Sequence, residues 1–296
     1  MKRLPQRCLS TVFLLGALLG FTYAAQAADM PYSQGLLWKI EGGAARPSYL
    51  FGTMHSEDAR VLNLPPVVQT AFDKSNIYVM EALLDENAMA LMSSTMLFSD
   101  GRNLQQILSP ASYAKTVAAM QAYGMPEAAL PLLKPWAVAV TLAMPKPKTG
   151  VVLDLSLLQK AQAQAKQTAG LETVVEQLGA LDNLPLSEQV TMLEDTLRQL
   201  PQLERLLAAM HNAYLARDLK TLSKISDEQI AQGDRALGKK LMNQLVTLRN
   251  QRMVERMLPY LKQGNAFIAI GALHLPGDQG VLKLLSERGF RLSAVY

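Results

Sequence analysis

The chain has 296 residues, with 29 basic and 25 acidic side chains, three histidines and one cysteine. A single cysteine cannot form an internal disulfide, so the chain is expected to fold without one. Charges of both signs are interspersed, with no block of like charge, which argues against nucleic acid as a partner. The length is sufficient for one large hydrophobic core or for two lobes.

The first 27 residues have the pattern of a secretory signal peptide. Three basic residues precede an apolar run over residues 9–23, and a small-residue cleavage site ends at Ala27. The run is shorter than the roughly 20 residues of a membrane span, although an uncleaved anchor is the alternative. We predict a cleaved signal over 1–27 and a periplasmic or secreted domain over 28–296, with no stable membrane insertion. Cleavage would remove Cys8 and leave 26 basic against 25 acidic residues.

The first third of the domain has the pattern of an α/β fold. Apolar runs at residues 36–40 and 48–51 flank a glycine-rich segment and predict two strands joined by a turn. A helix is predicted over residues 67–74, after two prolines that suit a first helical turn. The apolar run at 76–80 predicts a buried strand that ends on Glu81.

A long, mostly helical region is predicted over residues 86–262. Its helical spacing of Ala, Leu and Met is interrupted by a loop at 144–150 that contains proline and glycine. A helix is expected over 153–167, and the segment 168–171 could be a brief strand.

The C-terminal segment returns to an α/β pattern. It predicts a strand at 266–270, a helix at 280–288 and a last strand at 290–295, with Gly289 placed to end the helix. The predicted fold class is therefore α/β, with a central mixed sheet built from N- and C-terminal segments and a large all-helical insertion over 86–262.

One short phrase, a strand followed by Gly-x-x-His, occurs twice. It places His55 three residues after Gly52, and His274 three residues after Gly271. Ligands of open α/β sheets bind at the carboxyl ends of strands, where both histidines and Glu81 are predicted to lie. Two imidazoles and a carboxylate can form a metal site with open coordination positions. The glycines would let the chain turn sharply as it leaves the sheet.

Other interpretations of these residues stay open at this point. A histidine after a strand is more often a hydrogen-bonded loop residue, and Glu81 could equally form a structural salt bridge. The third histidine, His211, is predicted to lie on the surface of a helix. The chain has no His-Glu-x-x-His or Gly-x-Ser-x-Gly motif, and with no cysteine after Cys8 a thiol nucleophile is excluded.

A set of short motifs follows in order along the chain after the signal segment. They are Leu50-Phe51-Gly52-Thr53-Met54-His55, Val79-Met80-Glu81, Leu153-Asp154, Gly170-Leu171-Glu172-Thr173, Arg249-Asn250 and Gly271-Ala272-Leu273-His274. Together they resemble the TraB/GumN family, which includes the Tiki proteins, over essentially the whole domain. One departure is Val152, because the family tends to have glycine two residues before the aspartate.

The resemblance implies a fold, an activity and a set of site residues. The implied fold is α/β, related to the erythromycin-esterase and ChaN-like group. For the Tiki proteins the implied activity is divalent-metal-dependent proteolysis, with manganese or cobalt favoured. For this chain the expected cofactor is a divalent metal, either one of these two or zinc. Carried onto this sequence, it makes His55, Glu81 and His274 metal ligands or catalytic groups. The further implied residues are Arg249 as a catalytic group, with Asp154, Glu172 and Asn250 binding substrate or supporting the site.

These observations favour an exported metal-dependent hydrolase, a peptidase that acts on peptides or unfolded polypeptides through metal-activated water. The alternative is a non-catalytic extracytoplasmic protein that binds a peptide or haem in the same cleft. A third possibility is an esterase-like hydrolase that uses a histidine as its base.

Overall fold

A computed structural model describes residues 30–83 and 85–296, so the predicted signal peptide lies outside the described residues. The described part contains one six-stranded sheet. Its strands are β1 (Leu37–Glu41), β2 (Ser48–Thr53), β3 (Ile77–Ala82), β4 (Gln167–Glu172), β5 (Ala266–Gly271) and β6 (Arg291–Ala294). They lie in the order β4-β3-β5-β2-β1-β6.

The sheet is mixed, as predicted, with one reversed strand. β4, β3, β5 and β2 run parallel, while β1 is antiparallel to both of its neighbours, β2 and β6. β5 lies between β3 and β2, so the C-terminal segment enters the middle of the sheet. The expected brief strand at 168–171 is present as β4. It adds an edge strand from within 86–262, so this region contributes to the sheet as well as to the helices.

Helices connect the strands and make up most of the region between β3 and β5. Those in the described residues are α1 (Ala59–Leu62), α2 (Pro66–Lys74), α3 (Glu86–Thr95), α4 (Leu104–Ile107), α5 (Pro110–Gln121), α6 (Pro135–Ala143), α7 (Leu153–Ala163), α8 (Val174–Asp182), α9 (Leu186–Gln199), α10 (Leu203–Leu215), α11 (Leu219–Ala231), α12 (Arg235–Met242), α13 (Leu248–Gln263) and α14 (Val281–Glu287). None of the helices between residues 30 and 296, as far as they are described, has both the length and the apolar character needed to cross a bilayer.

The helix predicted over 153–167 ends earlier than expected. α7 stops at Ala163, and Gln167 already begins β4. The cause is Ala165, whose positive φ of 51° takes the chain out of the helical path. The prediction was wrong at this end because glycine is the usual residue in that conformation, and the sequence offers alanine.

The core is centred on the parallel strands. β5 is buried from Ala266 to Ile270, which explains its continuous apolar run. Phe72 of α2 packs edge-on against Tyr78 and Phe267, with ring centroids 5.7 and 5.2 Å away. Of the helices between β3 and β5, α7, α10, α11 and α13 contribute to this core, while two further apolar clusters are formed by α4, α5, α6, α8, α9 and α12. The sheet edge that carries the candidate site is therefore supported by a rigid, buried set of strands.

Candidate active site

Three neighbouring parallel strands end at one edge of the sheet, and each brings a predicted site residue there. β3 pairs with β5, and β5 pairs with β2. Glu81 is the penultimate residue of β3, His274 lies three residues after β5, and His55 lies two residues after β2. The predicted placement of these residues at the carboxyl ends of strands is confirmed.

Glu81 is held by hydrogen bonds to both of its carboxylate oxygens. Oε1 accepts the backbone N–H of Gly271 at 2.6 Å. Oε2 accepts from Arg249 Nη2, and from Gln177 Nε2 at 3.1 Å. Burial raises the pKa of this carboxyl, but His274, Arg249 and the Gly271 N–H favour the anion more strongly and lower the pKa to about 2. Glu81 is therefore ionised at neutral pH.

His274 is buried and fixed in one tautomer by its neighbour. Asn250 donates from Nδ2 to the carbonyl of Gln279 at 2.7 Å, so its Oδ1 is the acceptor for the His274 Nδ1–H at 2.6 Å. This leaves Nε2 unprotonated and 3.7 Å from Glu81 Oε1. Burial lowers the pKa of His274 to about 4, against the attraction of Glu81. The ring is neutral at pH 7.

His55 has a different environment from His274. Its side chain is 58% exposed, and Nδ1 lies 3.1 Å from Oδ2 of Asp154. Asp154 is itself fixed, because its Oδ1 accepts the Thr53 hydroxyl at 2.7 Å. The adjacent Asp154 carboxylate outweighs burial and raises the pKa of His55 to about 9, so this ring is protonated at neutral pH. Asp154 therefore orients the His55 ring. This agrees with the supporting role that the resemblance implies for Asp154.

Arg249 joins two buried carboxylates. Besides its contact with Glu81, it donates from Nε to Glu172 at 2.8 Å. Arg252 donates to the other oxygen of Glu172 at 3.0 Å. Arg249 lies just after the π-helical segment Asn243–Thr247, which joins α12 to α13. Its ion pairs are with Glu81 of β3 and Glu172 of β4, so Arg249 links α13 to the sheet and does not pair within its own helix.

The contribution of α10 to the site was not predicted from the sequence. Nε2 of His211 accepts the hydroxyl of Ser56 at 2.6 Å, since its Nδ1–H donates to the carbonyl of Leu207 at 2.7 Å. Tyr214 donates to the carbonyl of Gly52 at 2.9 Å. Both contacts hold the segment that carries His55. His211 lies on a helix as predicted, but its ring is half-buried and hydrogen-bonded on both nitrogens. The helical spacing of Leu207, His211 and Tyr214 puts them on one face, but it does not show which segment that face contacts.

The two glycines of the repeated phrase serve close packing. A Cβ on Gly52 would lie 2.7 Å from Cδ1 of Leu275 and 3.1 Å from Cα of Ala272. A Cβ on Gly271 would lie 3.2 Å from Oε1 of Glu81. Gly271 has a φ of −54°, and neither glycine is in the left-handed region. The prediction that they permit a sharp turn was therefore wrong, because their role is to leave space.

A cavity of about 390 Å³ lies beside His55. Its walls come from residues 55–58, from the loop over residues 144–150 and from α10 through His211. Glu81, His274 and Arg249 do not line it. The cavity therefore leads to the exposed histidine, while the His274–Glu81 pair lies below the surface.

The donor chemistry of the site can be compared with that of a divalent metal centre. Imidazoles and a carboxylate are ligand types that such a centre uses, and an oxygen lies near Nδ1 of each ring, from Asn250 for His274 and from Asp154 for His55. His274 Nε2 and Glu81 Oε1, 3.7 Å apart, form a pair of donors that could share one ion. Within residues 30–83 and 85–296, no group of three or more His, Cys, Asp or Glu side chains is arranged to hold a metal. The predicted three-ligand centre stays a prediction.

These features define an α/β protein with a histidine–carboxylate site at the carboxyl edge of its parallel strands. Residues 36–294 match the model of the TraB/PrgY/gumN family. The chain therefore belongs to the TraB/PrgY/gumN family, which confirms the predicted membership.

The chain is also similar to curated vertebrate proteins. It is 26% identical to Metalloprotease TIKI1 of Danio rerio over 314 residues, which cover 86% of this chain and 62% of the relative. It is 26% identical to Metalloprotease TIKI2 of Danio rerio, covering 96% of this chain and 66% of the relative. It is 25% identical to human Metalloprotease TIKI1, covering 86% of this chain and 61% of the relative. The chain thus spans less than two thirds of these relatives. No solved structure matches it.

Proposed function

We propose that the protein is an exported metal-dependent hydrolase that cleaves peptide bonds in peptides or unfolded polypeptides. The observation that carries this proposal is the buried His274–Glu81 pair, in which Nε2 of the neutral ring faces Oε1 at 3.7 Å. The names of the relatives, which are metalloproteases, support the same class of activity. Export rests on the signal pattern of residues 1–27.

The roles of His274, Glu81 and Arg249 in this proposal rest on their contacts, and that of His55 rests on the family resemblance. His274 and Glu81, with His55 as the third donor, would hold a divalent ion such as manganese, cobalt or zinc. When bound, such an ion supplies a Lewis acid for a peptide carbonyl and acidifies a water molecule. Arg249 keeps Glu81 ionised and oriented, and its Nη1 is already engaged with the carbonyl of Leu245. It is thus a positioning residue in this proposal.

Two residues orient the imidazoles. Asn250 accepts from Nδ1 of His274 at 2.6 Å, and Asp154 lies 3.1 Å from Nδ1 of His55. Nε2 of His274 is unprotonated at neutral pH and available to an ion, whereas His55, with a pKa of about 9, must lose a proton before its Nε2 can bind one. Glu172 supports the site indirectly, by holding Arg249.

Metal content and peptide cleavage, measured together, test the proposal. The purified protein is stripped with a chelator, reloaded with manganese, cobalt or zinc, and given a peptide mixture whose products are read by mass spectrometry. His274→Ala and Glu81→Gln should lower metal affinity at least tenfold and abolish cleavage. Glu188→Gln, in an ion pair with Lys240 on other helices, is the matched control. Absence of both bound metal and products overturns the proposal, and peptide binding without products favours the non-catalytic alternative.

A second candidate, an esterase-like hydrolase with histidine as base, is favoured by one contact. A chain of hydrogen bonds runs from the Ser56 hydroxyl to the His211 ring and on to the Leu207 carbonyl. In this arrangement Ser56 would be the nucleophile, His211 the base and the carbonyl the group that orients the base. This activity would survive chelation and be lost in Ser56→Ala. Labelling of the protein by a fluorophosphonate, absent in Ser56→Ala, would support it, and failure to label would exclude a reactive Ser56.

A further inference from the structure

The cavity beside His55 has the size and lining of a binding site for part of a polypeptide. We call it the outer cavity, the space of about 390 Å³ between residues 55–58 and the loop over 144–150. This volume lies within the roughly 300–1,000 Å³ of small-ligand sites. Its apolar wall is formed by Tyr123, Met144, Pro145, Pro147 and Val152. Such a wall suits an aliphatic or aromatic side chain, and Met144 can adapt to its shape.

The loop adds two ammonium groups to this apolar wall. Lys146 and Lys148 both line the outer cavity. Nζ of Lys146 lies 5.8 Å from the centroid of the Tyr123 ring. In the described part of the chain, neither lysine forms an ion pair with a carboxylate. Their charges are therefore available to a ligand.

The carboxylates that line the same cavity are already engaged. Glu57 accepts the backbone N–H groups of Lys148, Thr149 and Gly150 at 3.0, 2.6 and 3.0 Å. Asp58 is paired with Arg60, whose Nη2 lies 2.6 Å from Oδ2. Because these two anions have internal partners, the lysines are the uncompensated charges of the cavity.

We infer that the outer cavity binds an apolar side chain of a peptide that carries an acidic residue directly next to it, with Lys146 and Lys148 receiving the carboxylate. The cavity adjoins His55, so this contact would select the sequence presented to the site. The inference adds a sequence preference to the proposed peptidase and rests on that proposed function. Binding, however, is measured separately from cleavage.

The test measures binding of dye-labelled peptides by fluorescence anisotropy, with chelator present so that no metal-dependent cleavage occurs. The peptides are hexamers that differ at the centre, with Leu-Glu, Leu-Gln, Leu-Lys or Ser-Glu. Leu-Glu should bind about threefold to tenfold more tightly than Leu-Gln at low salt, because exposed ion pairs contribute modestly. Leu-Lys and Ser-Glu should bind more weakly than Leu-Glu. Added salt should reduce the preference for glutamate.

Variants separate a specific site from general electrostatic attraction. Lys146→Gln/Lys148→Gln should bind Leu-Glu and Leu-Gln equally. Lys74→Gln/Lys115→Gln is the matched control, since it removes two exposed lysines elsewhere and changes the net charge equally. The inference is overturned if both double variants lose the preference alike, if neither does, or if wild-type protein binds no peptide below about 1 mM. Any of these results leaves the metal-dependent cleavage test unaffected.

Discussion

Nε2 of His274 faces Oε1 of Glu81 at 3.7 Å, and both side chains are largely buried. Burial lowers the pKa of the imidazole to about 4, while contacts with Arg249 and the Gly271 N–H help to keep Glu81 ionised. At neutral pH the pair is therefore a neutral ring beside a carboxylate. A buried neutral histidine has a measurable consequence for stability.

The stability of the metal-free protein should fall as pH decreases from 6.5 toward 4. The unfolded chain binds a proton at His274 below its ordinary pKa of about 6.5, whereas the folded chain does not until about 4. Neutral His274 therefore costs no stability above pH 6.5, and the free energy of unfolding falls as pH decreases from 6.5 to 4. His274→Gln should reduce the acid-side loss by up to about 3 kcal/mol. Urea denaturation at several pH values, with chelator, measures it.

The comparison variant is His55→Gln, because the pKa of His55 is shifted in the opposite direction. The folded-state pKa of His55 is about 9, so protonated His55 stabilises the fold below pH 6.5. This stabilisation is lost as pH rises through 9. His55→Gln should therefore leave the slope between pH 6.5 and 4 unchanged. Equal slopes in wild type and His274→Gln would show that His274 is not held neutral by burial.

Glu172 should be far more important for stability than a surface glutamate. Its side chain is fully buried and accepts from Arg249 and Arg252. Glu172→Gln removes one of the two carboxylates that compensate the buried Arg249 guanidinium and the partner of Arg252, so a loss of about 3 kcal/mol in unfolding free energy is expected. Glu188→Gln breaks only the half-exposed pair with Lys240 and should cost no more than about 1 kcal/mol. Similar urea midpoints for the two variants would contradict the buried network.

Local sequence pattern predicts the sheet and the position of three site residues. The continuous apolar run of β5 indicates a strand that is buried on both faces. Because parallel strands present their carboxyl ends at one edge, the pattern alone places His55, Glu81 and His274 at that edge. Asp154, Glu172, Arg249 and Asn250 came from family resemblance alone. Nothing local marks a residue whose partner lies in another element, 24 positions away for Asn250 and 101 for Asp154.

Contacts between distant segments could not be predicted from the sequence. His211 and Ser56 are 155 residues apart, and their hydrogen bond depends on how α10 packs over the end of β2. The role of Gly52 also depends on a distant segment, because Leu275 occupies the space that a Cβ would need. The predicted end of the helix over 153–167 was wrong for a local reason, because the left-handed conformation of Ala165 is uncommon for alanine.

Gly52→Ala should destabilise the protein even though its backbone conformation would accept alanine. The added Cβ would lie 2.7 Å from Cδ1 of Leu275 and 3.1 Å from Cα of Ala272, so the segment that carries His274 must shift. Overpacking of this kind costs about 1–3 kcal/mol, measured by urea denaturation. Gly179→Ala is the control: it lies within α8, meets only the side chain of Asn183, and should be neutral or stabilising. A neutral Gly52→Ala would contradict the packing argument.

The Glu57 carboxylate should control access to the loop over residues 144–150. It accepts from the Lys148, Thr149 and Gly150 backbone, and the Thr149 N–H is the largest cause of its lowered pKa. Glu57→Gln loses the charge and one acceptor oxygen, so trypsin should cut after Lys148 severalfold faster. Glu86→Gln, at the exposed start of α3, is the control and should be cut at the wild-type rate. Equal cutting of both variants would show that Glu57 does not hold the loop.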